Sequence, residues 1–252
     1  MRHSQLVLPN EWRSLSGSAV LFFNMDVEII NLPSIWLSAT ELSRLNSITD
    51  PEQARFYRQS RLLLRYLLGH CLSLPPESIQ FSLQLHGKPR LGDEYRLEFN
   101  LSHSKHWLAI AISTAPVGVD IEYSDTSTNR SCLAIAKRFF HQEEYLYLKE
   151  LSESKLVTAF SSFWTQKEAV LKANGTGLNA GLNKLNLLTQ QHILDNNTYY
   201  LESGRPVSEL LCAICTQGSQ LPVTYYIVNE QLEIQPIQPP YISHLCLKPN
   251  SL

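Results

Sequence analysis

The sequence predicts an α+β fold in which each half of the chain supplies helices followed by antiparallel strands. Three observations carry that prediction. Helix-start signals stand at SATE (38–41) and TDPE (49–52). Helical stretches in both halves give way to short runs rich in Val, Ile, Tyr and Phe. With 252 residues, 44% of them hydrophobic and 17% charged, the chain can bury a sizeable core and lacks the composition of a disordered one.

Taken in order, AVLFFNMDVEIIN (19–31) reads as a strand that ends by Pro33. SATE is a capping box, in which a hydroxyl and a carboxylate three residues apart each bond the other's backbone, so a helix starts there. TDPE joins a cap, a proline at the first helical position and an early acid. The helix it opens runs to Gly69, and LLLRYLL (62–68) is its buried face. SIQFSLQL (78–85), YRLEFNLS (95–102) and WLAIAIS (107–113) are strand candidates, and the polar link HSKH (103–106) joins the last two as an antiparallel hairpin. VGVDIE (117–122) precedes a polar loop, SDTSTNRS (124–131). Two helices are expected at about 132–150 and 154–173, with Gly175 and Gly177 ending the second. LNKLNLL, ELLCAICT and VTYYIV then read as strands, and the tail beyond Gln235 as extended. No self-similarity links the two halves.

A net charge of −2 argues against nucleic acid or an anionic membrane as partner. The opening MRHSQLVLPNEW is not a secretory signal, and no apolar run is long enough to span a membrane. Five cysteines with no framework spacing fit reduced thiols in a cytoplasmic protein. Cys212 and Cys215 have CxxC spacing, but they lie in an apolar strand where residues three apart face opposite ways, so they read as packing residues.

The candidate chemistry begins with GVDIE. In a strand, Asp120 and Glu122 share a face ~6.6 Å apart and can converge on a hard divalent cation such as Mg²⁺. The plainer reading is an edge strand that shows its acids to water. Trp164, Glu168 and Lys172, four apart on a helix, share a face. A surface ion pair would explain Glu168 and Lys172; the aromatic beside them argues against a purely solvated strip. Were Glu168 to meet Asp120 and Glu122, three carboxylates would repel one another unless a cation lay among them. Ser102 and His103, at a strand end, suit a phosphate or simply a turn. HGKP (86–89) puts Lys88 in a glycine loop that suits ligand approach or a plain turn. Arg58, Arg61 and Arg65 share a helix face with no acid among them, a strip that suits phosphate or a solvated surface.

HGKP (86–89), FNLSHS (99–104), VGVDIE (117–122), IAKRFF (135–140) and FWTQKEAVLKANGTGL (163–178) occur together in this order. In that combination the chain resembles the 4'-phosphopantetheinyl transferases, in particular the broad-specificity Sfp type. The resemblance covers about residues 50–180 and does not extend to the first forty or the last sixty. It implies a pseudo-two-fold pair of α+β halves, here 1–115 and 116–252, with the active site in the cleft between them. It implies transfer of the phosphopantetheine arm of coenzyme A to a serine of an apo acyl or peptidyl carrier protein, with release of 3',5'-ADP, by a monomer.

Carried over residue by residue, Asp120, Glu122 and Glu168 match the magnesium ligands, and Lys172 the lysine near the diphosphate. Lys88 matches the loop lysine on coenzyme A, and Ser102 and His103 the phosphate-binding pair. Arg61 matches a basic residue toward the 3'-phosphate, with Arg58 or Arg65 as substitutes. One departure is His86, where family members often carry an aromatic before Gly-Lys-Pro. Glu168 is expected to act as general base and Lys172 to stabilise the leaving phosphate. Phe139, Phe140 and Tyr145, beside Lys137 and Arg138, suit either carrier docking or core packing. A metal-dependent diphosphate hydrolase, or a relative that binds coenzyme A or a carrier without transfer, is the competing expectation.

Overall fold

The computed structural model describes residues 6–26, 32–123, 132–177, 181–189, 191–229 and 233–237. Strand β1 (Ser18–Asn24) leads through α1 (Ala39–Asn46) and α2 (Pro51–Leu72) to the short β2 (Ser82–Leu83) and β3 (Pro89–Arg90). The hairpin β4 (Glu98–Ser104) and β5 (Trp107–Ser113) follows. Next come β6 (Val117–Tyr123), α3 (Cys132–Phe139), α4 (Gln142–Lys149) and α5 (Glu153–Asn174). The chain then forms β7 (His192–Leu194), β8 (Asn197–Val207), β9 (Leu210–Gln217), β10 (Val223–Val228) and β11 (Ile234–Pro236).

One sheet has the order β11-β10-β1-β5-β4 and a second the order β6-β9-β8-β7; β2 and β3 pair separately. Each half runs strand, 22-residue helix, hairpin, and its three main strands lie in the order first, third, second. Those triplets are β1-β5-β4 and β6-β9-β8. The division expected at 115/116 is crossed by β10 and β11, which come from the second half but lie in the sheet of the first. The parallel pairing of β10 with β1 covers an edge that would otherwise present unpaired backbone groups.

Strand alternation sorts the core into three layers. On β5, Leu108, Ile110 and Ile112 face α2 together with Leu21 and Phe23. Trp107, Ala109 and Ala111 face the second sheet, where Val117, Val119 and Ile121 of β6 meet them. The alanines let the two sheets approach closely. On the far side, Ala213 and Cys215 of β9 pack under α5. Cys212 lies in the central layer and Cys215 in the outer one, both as free buried thiols, as their spacing predicts.

The helix starts follow the caps that announce them. Ser38 accepts from the N–H of Glu41, and Glu41 accepts from that of Ser38. Asp50 caps α2 with Pro51 in its first turn, and α2 runs past Gly69 to Leu72. Four expectations need correction. The single helix expected at 132–150 is two, because His141 caps α4 in a box with Glu144. LNKLNLL is a series of turns and not a strand. SIQFSLQL keeps only Ser82–Leu83 as strand. The 11-residue β8 was not expected at all. Of the strand expected over 19–31, β1 ends at Asn24 and residues 27–31 lie outside the described residues, as do loop 124–131 and the tail from 238. The opening stretch, which the family resemblance does not cover, buries Leu6, Leu8 and Trp12.

Candidate active site

Strand β6 places its odd residues in the central core, so Gly118, Asp120 and Glu122 face α5. Gly118 allows this. A Cβ there would collide with the backbone of Ala169 and Ala173, one turn of α5 that also bears Lys172. The strand therefore runs against the helix, and Asp120 is only 3% exposed. An edge strand that shows its acids to water does not describe it.

Three side chains from three elements meet at Asp120. Lys172 Nζ lies 2.7 Å from Asp120 Oδ1, Ser102 donates to the same oxygen at 2.8 Å, and Lys172 donates to Ser102 Oγ at 3.0 Å. Burial pushes the Asp120 pKa up, against the pull of Lys172 and the hydrogen bond from Ser102. Asp120 Oδ2 is buried without a hydrogen-bond partner, a state that costs about 1–3 kcal/mol if nothing else meets it.

Glu122 and Glu168 are both pushed up to about 7, chiefly by burial and then by the charge of Asp120; Glu122 raises Glu168 further. Lys172 and a hydrogen bond from Trp164 oppose the rise at each. Trp164 therefore lies near both carboxylates, a neighbour of Glu122 not assigned from the sequence although its i, i+4 spacing to Glu168 was visible. Mutual repulsion, one orphaned carboxylate oxygen and an all-oxygen donor set fit a hard cation such as Mg²⁺, which needs few protein ligands and fills the rest with water or phosphate oxygens. Among the described residues no three His, Cys, Asp or Glu side chains form a ready-made metal shell.

On β4, Ser102 and His103 sit within the strand and point to opposite faces, not into a turn. His103 joins a cavity of about 690 Å³ whose wall includes Arg44, Phe56, Tyr57, Arg61 and Ser102. Burial and the Lys172 charge lower the His103 pKa, against a raising effect of Asp120. Arg61 Nε is buried there with no partner, its guanidinium 5.3 Å from the Tyr57 ring.

The other two arginines are committed elsewhere. Arg65 is 1% exposed and binds Glu41 Oε2 through Nε at 2.8 Å and NH2 at 2.7 Å, with further bonds to Pro76 O and Ile79 O. Arg58 donates to Ser34 Oγ and Leu32 O. The arginine strip of the sequence is therefore one cavity residue and two structural ties.

Lys88, beyond Gly87 at the turn of the β2–β3 hairpin, donates to Val117 O at 3.0 Å, at the start of β6. Burial lowers its pKa, countered by Glu98. Its loop lies against the end of α5, with Gln84 beside Gly175 and His86 beside Gly177. Lys167 is fully buried and pairs with Glu144 at 2.8 Å while donating to Leu182 O and Leu185 O, which fastens 182–185 to the helix that carries Glu168. Of the aromatics suggested for docking, Phe140 is buried in the core beside Phe160 and Phe163, and Phe139 and Tyr145 pack against the same cluster. Core packing explains them.

Residues 116–215 match the family model described as the 4'-phosphopantetheinyl transferase superfamily, and 33–115 match that of the 4'-phosphopantetheinyl transferase N-terminal region. The chain is 32% identical over 167 residues to the 4'-phosphopantetheinyl transferase Sfp of Bacillus subtilis, an alignment covering 62% of this chain and 73% of Sfp. The chain belongs to the 4'-phosphopantetheinyl transferase superfamily. It is also 39% identical over 146 residues to HetI of Nostoc sp., covering 56% of this chain and 61% of HetI. With gsp of Aneurinibacillus migulanus it shares 38% over 122 residues, 48% of this chain and 49% of gsp. Both are named 4'-phosphopantetheinyl transferases, and less than two thirds of each is spanned. In this superfamily member the Ser102–Asp120–Lys172 group straddles the two matched regions, which meet between residues 115 and 116.

Proposed function

We propose that the chain transfers the 4'-phosphopantetheine arm of coenzyme A to a serine hydroxyl of an apo acyl or peptidyl carrier protein and releases 3',5'-ADP. The observation that carries this reading is the bonded group Ser102–Asp120–Lys172, which ties the cavity holding Arg61 and His103 to the carboxylates of the second half. The names of HetI, gsp and Sfp support it.

On this reading Arg61 and His103 receive phosphate groups at the nucleotide end of the donor, Ser102 lies beside them, and Lys88 serves the same substrate from the hairpin loop. Asp120, Glu122 and Glu168 would hold Mg²⁺, which when bound offsets the negative charge that builds on the diphosphate. The carrier serine oxygen attacks the phosphorus nearer the pantetheine, and the bond to the other phosphate breaks. The serine proton passes to Glu168, the carboxylate proposed as general base. Lys172 neutralises the departing phosphate, exchanging its contact with Asp120 for that oxygen.

We further propose that 1–115 and 116–252 are halves related by a pseudo-two-fold axis, with the site in the cleft between them. The shared first-third-second strand order and the paired 22-residue helices support this. A cytoplasmic monomer that binds neither nucleic acid nor membrane completes the reading, supported by a net charge of −2 and buried free thiols. No helix among the described residues is long and apolar enough to cross a membrane.

Incubation with coenzyme A, Mg²⁺ and apo carriers of fatty-acid, polyketide and nonribosomal-peptide type, followed by mass spectrometry, tests the reaction. The arm on the carrier serine with an equal amount of 3',5'-ADP is expected. Release of 3',5'-ADP without a modified carrier would mark a diphosphate hydrolase, and coenzyme A binding with neither product a binding protein.

A further inference from the structure

Strands β4 and β6 are edge strands of different sheets, and side chains close the gap between them. Alternate residues of β4 accept backbone N–H groups from alternate residues of β6. Asn100 Oδ1 accepts from Val119 at 2.9 Å, Ser102 Oγ from Ile121 at 3.2 Å, and Ser104 Oγ from Tyr123 at 2.9 Å. Each serine also donates its proton to the carboxylate just before the amide it caps. Ser102 gives to Asp120 at 2.8 Å, and Ser104 to Glu122 at 3.4 Å. At the third rung the preceding residue is Gly118, which has no side chain, and there an amide oxygen suffices.

We propose that Asn100, Ser102 and Ser104 form a side-chain ladder that stands in for backbone pairing between the two sheets and aims the carboxylates of β6, with Ser104 the positioning residue for Glu122. The two-residue period of both strands makes the device possible, since one face of β4 meets one set of β6 amides throughout. Each rung satisfies a buried or half-buried N–H that an edge strand would otherwise leave to water. A serine that holds both an amide and its neighbouring carboxylate fixes the rotamer of that carboxylate, as outer partners of ligating groups do. The functional half of this inference rests on the proposed transfer reaction; the ladder itself does not.

Backbone hydrogen exchange on the full-length protein without substrate, together with transfer kinetics, tests both halves. Ser104→Ala should speed exchange of the Tyr123 amide about tenfold, the factor expected for loss of one hydrogen bond in a locally opening strand. It should lower kcat about 10–100-fold, with KM for coenzyme A within about twofold. Ser104→Thr, which keeps the hydroxyl, should restore both values. Asn100→Ala should speed the Val119 amide, while Asn100→Asp, which keeps the acceptor, should not. Should either alanine variant fail to fold, the conservative variants together with the remaining alanine variant carry the test. Unchanged exchange at Val119 and Tyr123 would overturn the ladder. Faster exchange at Tyr123 with an unchanged kcat would overturn the aiming of Glu122. A wild-type protein that transfers no arm would instead remove the reaction, with the exchange result still deciding the ladder.

Discussion

Glu168 differs from an ordinary helix carboxylate in what faces it. Burial, and then the charges of Asp120 and Glu122, push its pKa up to about 7, with Lys172 and Trp164 opposing the rise. Glu168→Gln keeps the shape and removes the basic oxygen. Transfer should fall about 10²–10⁴-fold, the usual weight of a general base, with the thermal midpoint unchanged or raised. Near-normal turnover would take Glu168 out of the proton transfer. Two arginines one turn apart separate just as sharply. Arg65→Ala leaves Glu41 buried without its partner and should cost about 3–5 kcal/mol in urea denaturation. Arg61→Ala removes a cavity residue with an unpaired Nε, so it should raise KM for coenzyme A while the denaturation midpoint stays nearly fixed. The sequence put all three arginines on one face, and helical spacing is indeed what it can give. It could not give the capping-box carboxylate from 24 residues upstream that claims Arg65.

At the scale of elements, the legible pieces are those whose identity is decided by neighbours in sequence. The caps at Ser38 and Asp50 act through residues three positions on, and WLAIAIS is apolar on both faces because both are covered. The misread pieces are decided from afar. LNKLNLL has strand-like leucines, but Lys167 of α5 takes two of its carbonyls, so the segment turns around that ammonium. NTYYLESGRPV holds Glu, Ser, Gly, Arg and Pro and breaks the apolar alternation, yet pairing with β9 makes it the longest strand among the described residues. The site shows the same split. Asp120, Glu122, Glu168 and Lys172 were visible as residue types on shared faces, whereas the close approach that unites them depends on Gly118. Gly118→Ala would push β6 off α5. A loss of about 1–3 kcal/mol, typical of overpacking, is expected in urea denaturation, along with impaired transfer. Full stability in that variant would mean the helix yields easily.

For the molecule as a whole, the packing of β6 against β4 and α5 buries acids that repel one another, and this makes stability depend on pH and on cations. Glu122 and Glu168 have their folded pKa values raised from 4.5 to about 7, so between those values the folded state holds more protons than the unfolded one. Their contribution to stability is therefore greatest at low pH and declines as pH rises through that window. Cation binding competes with those protons. Mg²⁺ should accordingly raise the thermal midpoint more at pH 8 than at pH 5.5, and Glu122→Gln should shrink that difference; an equal shift at both values would count against a carboxylate site.

The central claim is that Asp120, with Glu122 and Glu168, forms a cation site at the donor's diphosphate. Anomalous diffraction from a crystal grown with Mn²⁺ and coenzyme A tests it most directly. The account predicts a single peak about 2.0–2.2 Å from Asp120 Oδ2, in contact with at least one of the two glutamates and with a diphosphate oxygen. A diphosphate bound in the protein with its cation on none of these three carboxylates would contradict it.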